Sequence, residues 1–300
     1  MLKLGVLSFD VPNALDIGGL VSYAVKADEL GYSKFWLGEH YDSPGLWLNP
    51  EPLIPILLGF TEQISIGAAG IILRVHSSYR VAANFRLMNA LFPGRVDLGL
   101  ASGHAPALAT KALTNMEKAE VSQIDVKEKI AELLAFYREE EANMKQGLFV
   151  NPPQFSPPNI WLLGARLRSF EYATRLGINQ SFSLMHNPDA FDVTKVKLEE
   201  MTETFFQEHG KRPDINVAFS GVLAKDEKEA RKIYGKSLMN NPFIKPNILG
   251  GFNMFQDQLL QFQEEFGVNE FVFLDLSPEM SHRLETIEQL ASLLKPELVS

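Results

Sequence analysis

Read from residue 1, the chain alternates short, nearly all-apolar runs with longer amphipathic ones. The β-rich runs fall at 2–9, 35–37, 64–73, 96–100, 160–163, 178–184, 215–223 and 271–274. Several carry apolar side chains at consecutive positions, the pattern of strands covered on both faces and hence of a parallel sheet. Between them the spacing predicts helices over 19–30, 79–91, 120–144, 167–176, 190–209, 226–239, 256–266 and 278–294. In the first, Leu20, Val21, Ala24, Ala27 and Leu30 share one face, and Gly31 supplies a left-handed stop. Strand–helix repetition eight times over predicts a (β/α)8 TIM barrel. The rival is an open doubly wound sheet, which would place a glycine-rich phosphate turn after its first strand. Ser8-Phe9-Asp10-Val11-Pro12 stands there instead. The breaker-rich tract 151–158 reads as a surface excursion rather than a linker, because the alternation resumes in phase beyond it. Residues 1–300 are therefore expected to form one domain.

Composition narrows the function classes. Apolar residues make up 46% of the 300 positions, ample for a filled core. The 28 basic and 37 acidic residues leave a net charge of −9, which disfavours broad binding to nucleic acid or to an anionic membrane. An anionic ligand must then be held locally, by backbone amides or a few placed cations. The chain has no cysteine, which removes disulfides, thiolate nucleophiles and cysteine metal sites together. No HxH or HExxH occurs, so no metal is expected. With no signal-peptide pattern and no apolar stretch of the ~20 residues needed to span a bilayer, the expected compartment is the cytoplasm.

In a barrel of this kind the chemistry belongs at the C-terminal strand ends. The second strand ends in Glu39-His40-Tyr41, an acid, an imidazole and a phenol together. The third ends in Arg74-Val75-His76, the fourth in Ala101-Ser102-Gly103-His104, the fifth in Gly164-Ala165-Arg166-Leu167-Arg168-Ser169, and the sixth in Ser183-Leu184-Met185-His186-Asn187-Pro188. Each has a plain alternative: Glu39 and His40 as a structural pair, His76 and His104 as loop residues, one of Arg166 and Arg168 as a solvated charge. Gly67 and Gly70 interrupt the third strand, and Gly99 and Gly103 the fourth. Two readings stand equally: a bulge or a ligand lying against bare backbone, or close packing of interior layers.

The run 31–40, the strand 66–73 and above all Asn89-Ala90-Leu91-Phe92-Pro93-Gly94-Arg95-Val96-Asp97-Leu98-Gly99-Leu100 closely resemble the bacterial luciferase-like monooxygenases. The likeness is best over the first 115 residues and is supported later by Ile160-Trp161-Leu162-Leu163-Gly164 and the stretch 183–188. It implies a barrel that takes FMN as reduced flavin from a separate flavin reductase and uses molecular oxygen on a small organic substrate such as an aldehyde. It implies that His40 lies beside the flavin ring and assists proton transfer, with Glu39 as the acid before it. Ala69 and Gly70 fall where relatives often hold a non-proline cis peptide against the ring, and Ser183 falls on a strand end that lines it. Two positions depart from the pattern. Ser102, followed by Gly103, stands where many relatives place an arginine on the FMN phosphate, and Ala165-Arg166, after Gly164, stand where relatives often carry serines. The expectation is that the cation has moved: Arg166 supplies the charge and the amides of residues 165–168 supply donors at a helix N-terminus. The resemblance also implies a homodimer, for which 52–58 and 81–91 are apolar enough. Two other functions remain open at this stage, a flavin-sequestering protein without turnover and a deazaflavin-dependent oxidoreductase. The tract 240–252, rich in Asn, Pro and Gly, is expected to act as a mobile lid.

Overall fold

The computed structural model describes residues 1–9, 17–41, 48–186, 188–237 and 244–294. Its strands are β1 (Lys3–Ser8), β2 (Lys34–Leu37), β3 (Ser65–Ile72), β4 (Val96–Ala101), β5 (Asn159–Gly164), β6 (Asn179–Ser183), β7 (Ile215–Leu223), β8 (Ile248–Gly250) and β9 (Glu270–Asp275). All of their pairings are parallel. β1 to β7 follow in order, and β9 bonds both β7 and β1, closing an eight-stranded (β/α)8 barrel. The predicted runs coincide with these eight strands.

β8 was not expected. It is three residues long and pairs with the far end of β7, Gly221 to Leu223, overlapping the part of β7 that carries β9 only at Gly221. It lies inside the tract expected to be a lid. Residues 248–250 are strand, and the helix Phe252–Phe266 starts directly after Gly251; residues 240–243 lie outside the described residues. The predicted helix 120–144 is divided into Lys118–Ser122, Val126–Arg138 and Glu140–Lys145. Asp125 restarts the chain as an N-cap, its carboxylate accepting from Lys127 N–H at 2.8 Å. Helix Leu53–Phe60 falls on the apolar run 52–58, and helix Ala107–Thr114 was not anticipated. The tract 151–158 is tied to the helix Ser78–Leu91 by Asn89, whose amide donates to the carbonyls of Ser156 and Pro157. No helix among the described residues is long and apolar enough to cross a membrane.

Two apolar layers hold the cylinder. The outer one packs strands against helices, with Phe35, Leu98, Phe182 and Phe219 against Phe85, Phe170 and Phe255. The inner one fills the shaft with Leu7, Phe9, Trp36, Trp161, Ala218, Val272 and Leu274. Trp36 and Trp161 meet edge to face at 5.2 Å, and Trp36 Nε1 donates to Asp97 at 2.8 Å. Below them Lys34 Nζ lies 3.7 Å from Asp97, 3.6 Å from Glu270 and 4.6 Å from the Trp161 ring centre. Burial works to lower the pKa of this ammonium, and Asp97, then Glu270 and Asp214, more than offset it and leave it raised. The shaft is thus filled at its N-terminal end, and the predicted groups stand at the opposite, C-terminal end of the strands.

Candidate functional site

The exit of β2 sends adjacent side chains in opposite directions. A Cβ on Gly38 would collide with the Phe9 ring, so only glycine lets Phe9 lie across this strand end. Phe9 in turn meets the His40 ring at 4.4 Å between centroids. His40 is half-buried there. Glu39 points the other way and is 3% exposed. Its Oε2 accepts from Ile72 N–H at 2.7 Å, while Tyr41 O–H and His76 Nε2 each lie 2.5 Å from Oε1. Tyr41 must donate, since burial and then Glu39 push its phenol pKa far up. The expected rim cluster is therefore two groups: His40 with Phe9, and Glu39 with Tyr41 and His76.

β3 holds a cis peptide bond between Ala69 and Gly70, as the resemblance implies. The β3–β4 register shifts between Ala68 and Ile71, which is the bulge the glycines suggested. The two readings of those glycines divide by position. Cβ atoms on Gly67 and Gly99 would run into the carbonyl oxygens of Asp97 and Ala68, so there the reason is strand-to-strand packing. A Cβ on Gly70 would strike Leu163 and lie 3.0 Å from Gly99 O. Gly103 is different: its nearest neighbour would be 3.8 Å away, and Ser102, Gly103 and His104 are all exposed. Burial, followed by Arg74 and Lys118, lowers the His104 pKa. Arg74 itself is engaged, donating to the carbonyls of Val121, Ser122 and Ile124.

At the exit of β5, Arg166 is the N-cap residue of the helix Leu167–Leu176. Its exposed guanidinium makes no hydrogen bond or ion pair with the described residues, so it is available to a ligand. Gly164 and Ala165 beside it are half-buried. The helix start is not wholly free, however: Asp192 Oδ1 already accepts from Leu167 N–H at 2.7 Å. A Cβ on Gly164 would collide with Ser169 at the helix start. At β6, Ser183 Oγ lies 2.5 Å from His186 Nδ1. His186 is solvent-accessible yet walled by protein; desolvation first and the neighbouring His40 second lower its pKa to about 4. Asn187 lies outside the described residues.

Sequence reasoning placed His186 at the sixth strand exit without a role, and missed Asp192 and the partnership of His76 with Glu39. Only His186 left a local signal, three positions after Ser183. What remains at the mouth is a low floor at Ala69, Gly70 and Ala101, an imidazole and a hydroxyl at its edge, and a cation without a partner among the described residues. That set fits the chemistry of a planar, largely apolar ring system with an anionic tail.

A family model described as luciferase-like monooxygenase matches residues 6–265. The chain belongs to this family. Among curated relatives, the N-acetyl-S-alkylcysteine monooxygenase of Bacillus subtilis is 38% identical over 173 residues, covering 56% of this chain and 51% of that protein. The match thus spans about half the length of the relative. Among solved structures, apo-MsnO8 superposes with a TM-score of 0.82 at 24% identity, covering 99% of both chains. The oxygenating constituent of 3,6-diketocamphane monooxygenase from Pseudomonas putida, solved with FMN, gives 0.70 at 15% identity over 100% of both. An F420-dependent secondary alcohol dehydrogenase gives 0.71 at 13% identity over 98% of this chain and 99% of that one. These likenesses establish the shared fold, which serves both flavin and deazaflavin enzymes.

Proposed function

We propose that this family member is an FMN-dependent monooxygenase that receives reduced FMN from a separate flavin reductase and oxidises a small organic substrate in the cytoplasm. The observation that supports the reading is that His40, the Ala69–Gly70 cis peptide and Arg166, which has no partner among the described residues, all stand at the C-terminal side of the barrel strands. Bound reduced flavin would supply the electrons that activate oxygen. Ala69 and Gly70 bear the ring, with Ser102 and Gly103 along one side and Ser183 at the other edge. Gly164, Ala165 and Arg166 take the phosphate. His40, steadied by Phe9, exchanges a proton with the substrate or its product, and the apolar walls keep bulk water from that exchange. Glu39 contributes from behind the floor, because its oxygens are committed to Ile72, Tyr41 and His76. Aldehydes head the substrate panel, with thioethers beside them on the example of the Bacillus relative.

The partner surface follows from exposure. Ile56 and Phe60 on one helix and Leu87 and Leu91 on the next are 43%, 63%, 52% and 64% exposed. Large apolar side chains presented together by two helices suit a homodimer. The deciding experiment titrates the protein with oxidised FMN, reduced FMN and F420 side by side, then mixes the reduced-flavin complex with oxygen in stopped flow. Preference for reduced FMN and substrate-dependent oxygen consumption are expected. Preference for F420, or tight flavin binding without any turnover across the panel, would overturn the assignment.

A further inference from the structure

The β2–β3 ladder ends early. Its last paired residues are Leu37 and Ala68, and the bulge begins immediately afterwards. Beyond that point a side chain takes over: Glu39 Oε2 holds Ile72 N–H at 2.7 Å, bridging the two strands past Ala69–Gly70. The same carboxylate is fixed by Tyr41 and by His76 Nε2 at 2.5 Å. His76 is itself anchored, since Lys129 Nζ donates to its carbonyl at 2.5 Å. On its outer side His76 faces a cleft of ≈ 250 Å³, lined also by Asn49, Glu51, Arg80 and Asn84, that gives water access to the back of the site.

We propose that His76 is a positioning residue: through Glu39 it clamps the Ala69–Gly70 floor, and the cleft behind it sets the clamp by proton exchange with solvent. This rests on the flavin reading given above. The groups around His76 are Glu39 and Tyr41 from the β2 exit, Glu51 ahead of the helix Leu53–Phe60, Arg80 on the helix Ser78–Leu91, and Lys129 on the helix Val126–Arg138. Burial, the largest influence, works to lower the His76 pKa; the bond to Glu39 and the charges of Glu39 and Glu51 prevail, Lys129 opposes them weakly, and the value is raised. The charged pair is therefore complete at low pH and is lost as pH rises through that raised value. Glu51 can serve as the relay at the cleft wall: Asn84 holds one oxygen at 2.6 Å, and burial pushes its carboxyl above the usual range.

The test uses riboflavin, which lacks a phosphate that would titrate on its own, in fluorescence-quench titrations of the full chain between pH 6 and 9. His76→Gln keeps an amide donor near the position of Nε2 but cannot titrate, whereas His76→Leu removes both. Wild type should lose at least ~3-fold in affinity across the range, with the midpoint at which His76 itself titrates by NMR. His76→Gln should bind with a flat profile, and His76→Leu should bind about tenfold more weakly throughout, a step of ~1.4 kcal/mol. Glu39→Gln should move the NMR midpoint of His76 downward. If wild type and His76→Gln bind riboflavin with one shared pH profile, or Glu39→Gln leaves the midpoint in place, the clamp is refuted while the flavin reading stands. If wild type binds neither riboflavin nor FMN at any pH, the flavin reading falls and takes this inference with it. Should His76→Leu fail to fold, His76→Gln and the NMR midpoint decide alone.

Discussion

Arg166→Ala offers the sharpest test of where a phosphate would sit. The residue starts the helix Leu167–Leu176, is exposed, and has no competing partner among the described residues. A hydrogen bond to a charged group contributes about 1.5–3 kcal/mol. Exposure to water and salt puts Arg166 at the low end of that range, so losing it should weaken FMN binding by about tenfold. Riboflavin has the same ring and no phosphate, and its affinity should not change. The measured quantity is thus a ratio, FMN over riboflavin, which cancels any general damage to the mouth. Asp192 gives the opposite perturbation. Its carboxylate occupies Leu167 N–H at 2.7 Å and would repel an incoming phosphate. Asp192→Asn keeps an oxygen acceptor for that amide but removes the charge, and should improve FMN binding about 3-fold, again without effect on riboflavin. Raising the salt should shrink both differences. An Arg166→Ala protein whose FMN-to-riboflavin ratio equals that of wild type would refute the placement, whatever its absolute affinities.

Three further outcomes are expected. Gly70→Ala forces a methyl into Leu163 and close to Gly99 O and should cost about 1–3 kcal/mol in urea unfolding, whereas Gly103→Ala meets open space and should stay within ~0.5 kcal/mol of wild type; equal losses would contradict the packing account. His186, with its pKa lowered to about 4, stays neutral in the folded chain down to lower pH than in the unfolded one. The unfolded chain then binds the extra proton between pH 6.5 and 4, so stability falls as pH drops through that window, and His186→Gln should flatten part of that fall in a series of thermal melts. Phe60→Glu combined with Leu91→Glu should yield a monomer by sedimentation while the fold is kept, and an unchanged sedimentation coefficient would place the dimer contact elsewhere.

Much of the cylinder was legible because its strands are covered by helices outside and filled inside, so they read as unbroken apolar runs such as 64–73 and 215–223. β8 escaped because three residues in a tract of breakers carry no period, and its pairing depends on the surplus length of β7. The long helical signal at 120–144 hid its interruption, since Asp125 is as ordinary on a solvated helix face as at a cap. In the site, order along the chain located every strand exit but not the direction of each side chain. Glu39 and His40 looked like one cluster; the steric demand of Phe9 on Gly38 and the pull of Ile72 N–H on the carboxylate separate them. His76 and Asp192 were invisible as partners because they lie 37 positions from Glu39 and 25 from Leu167. Distances of that kind are fixed by barrel closure and leave no local trace.

The tryptophan pair with Lys34 and Asp97 has one more consequence. With Trp36 and Trp161 each 1% exposed, Lys34 9% and Asp97 0%, the N-terminal end of the shaft is closed by buried side chains. A ring seated against that closed end would have to enter before any molecule stacked over it and leave after it. A compulsory sequence of this sort, cofactor first and last, would be imposed by masonry at the opposite end of the tunnel from the reaction.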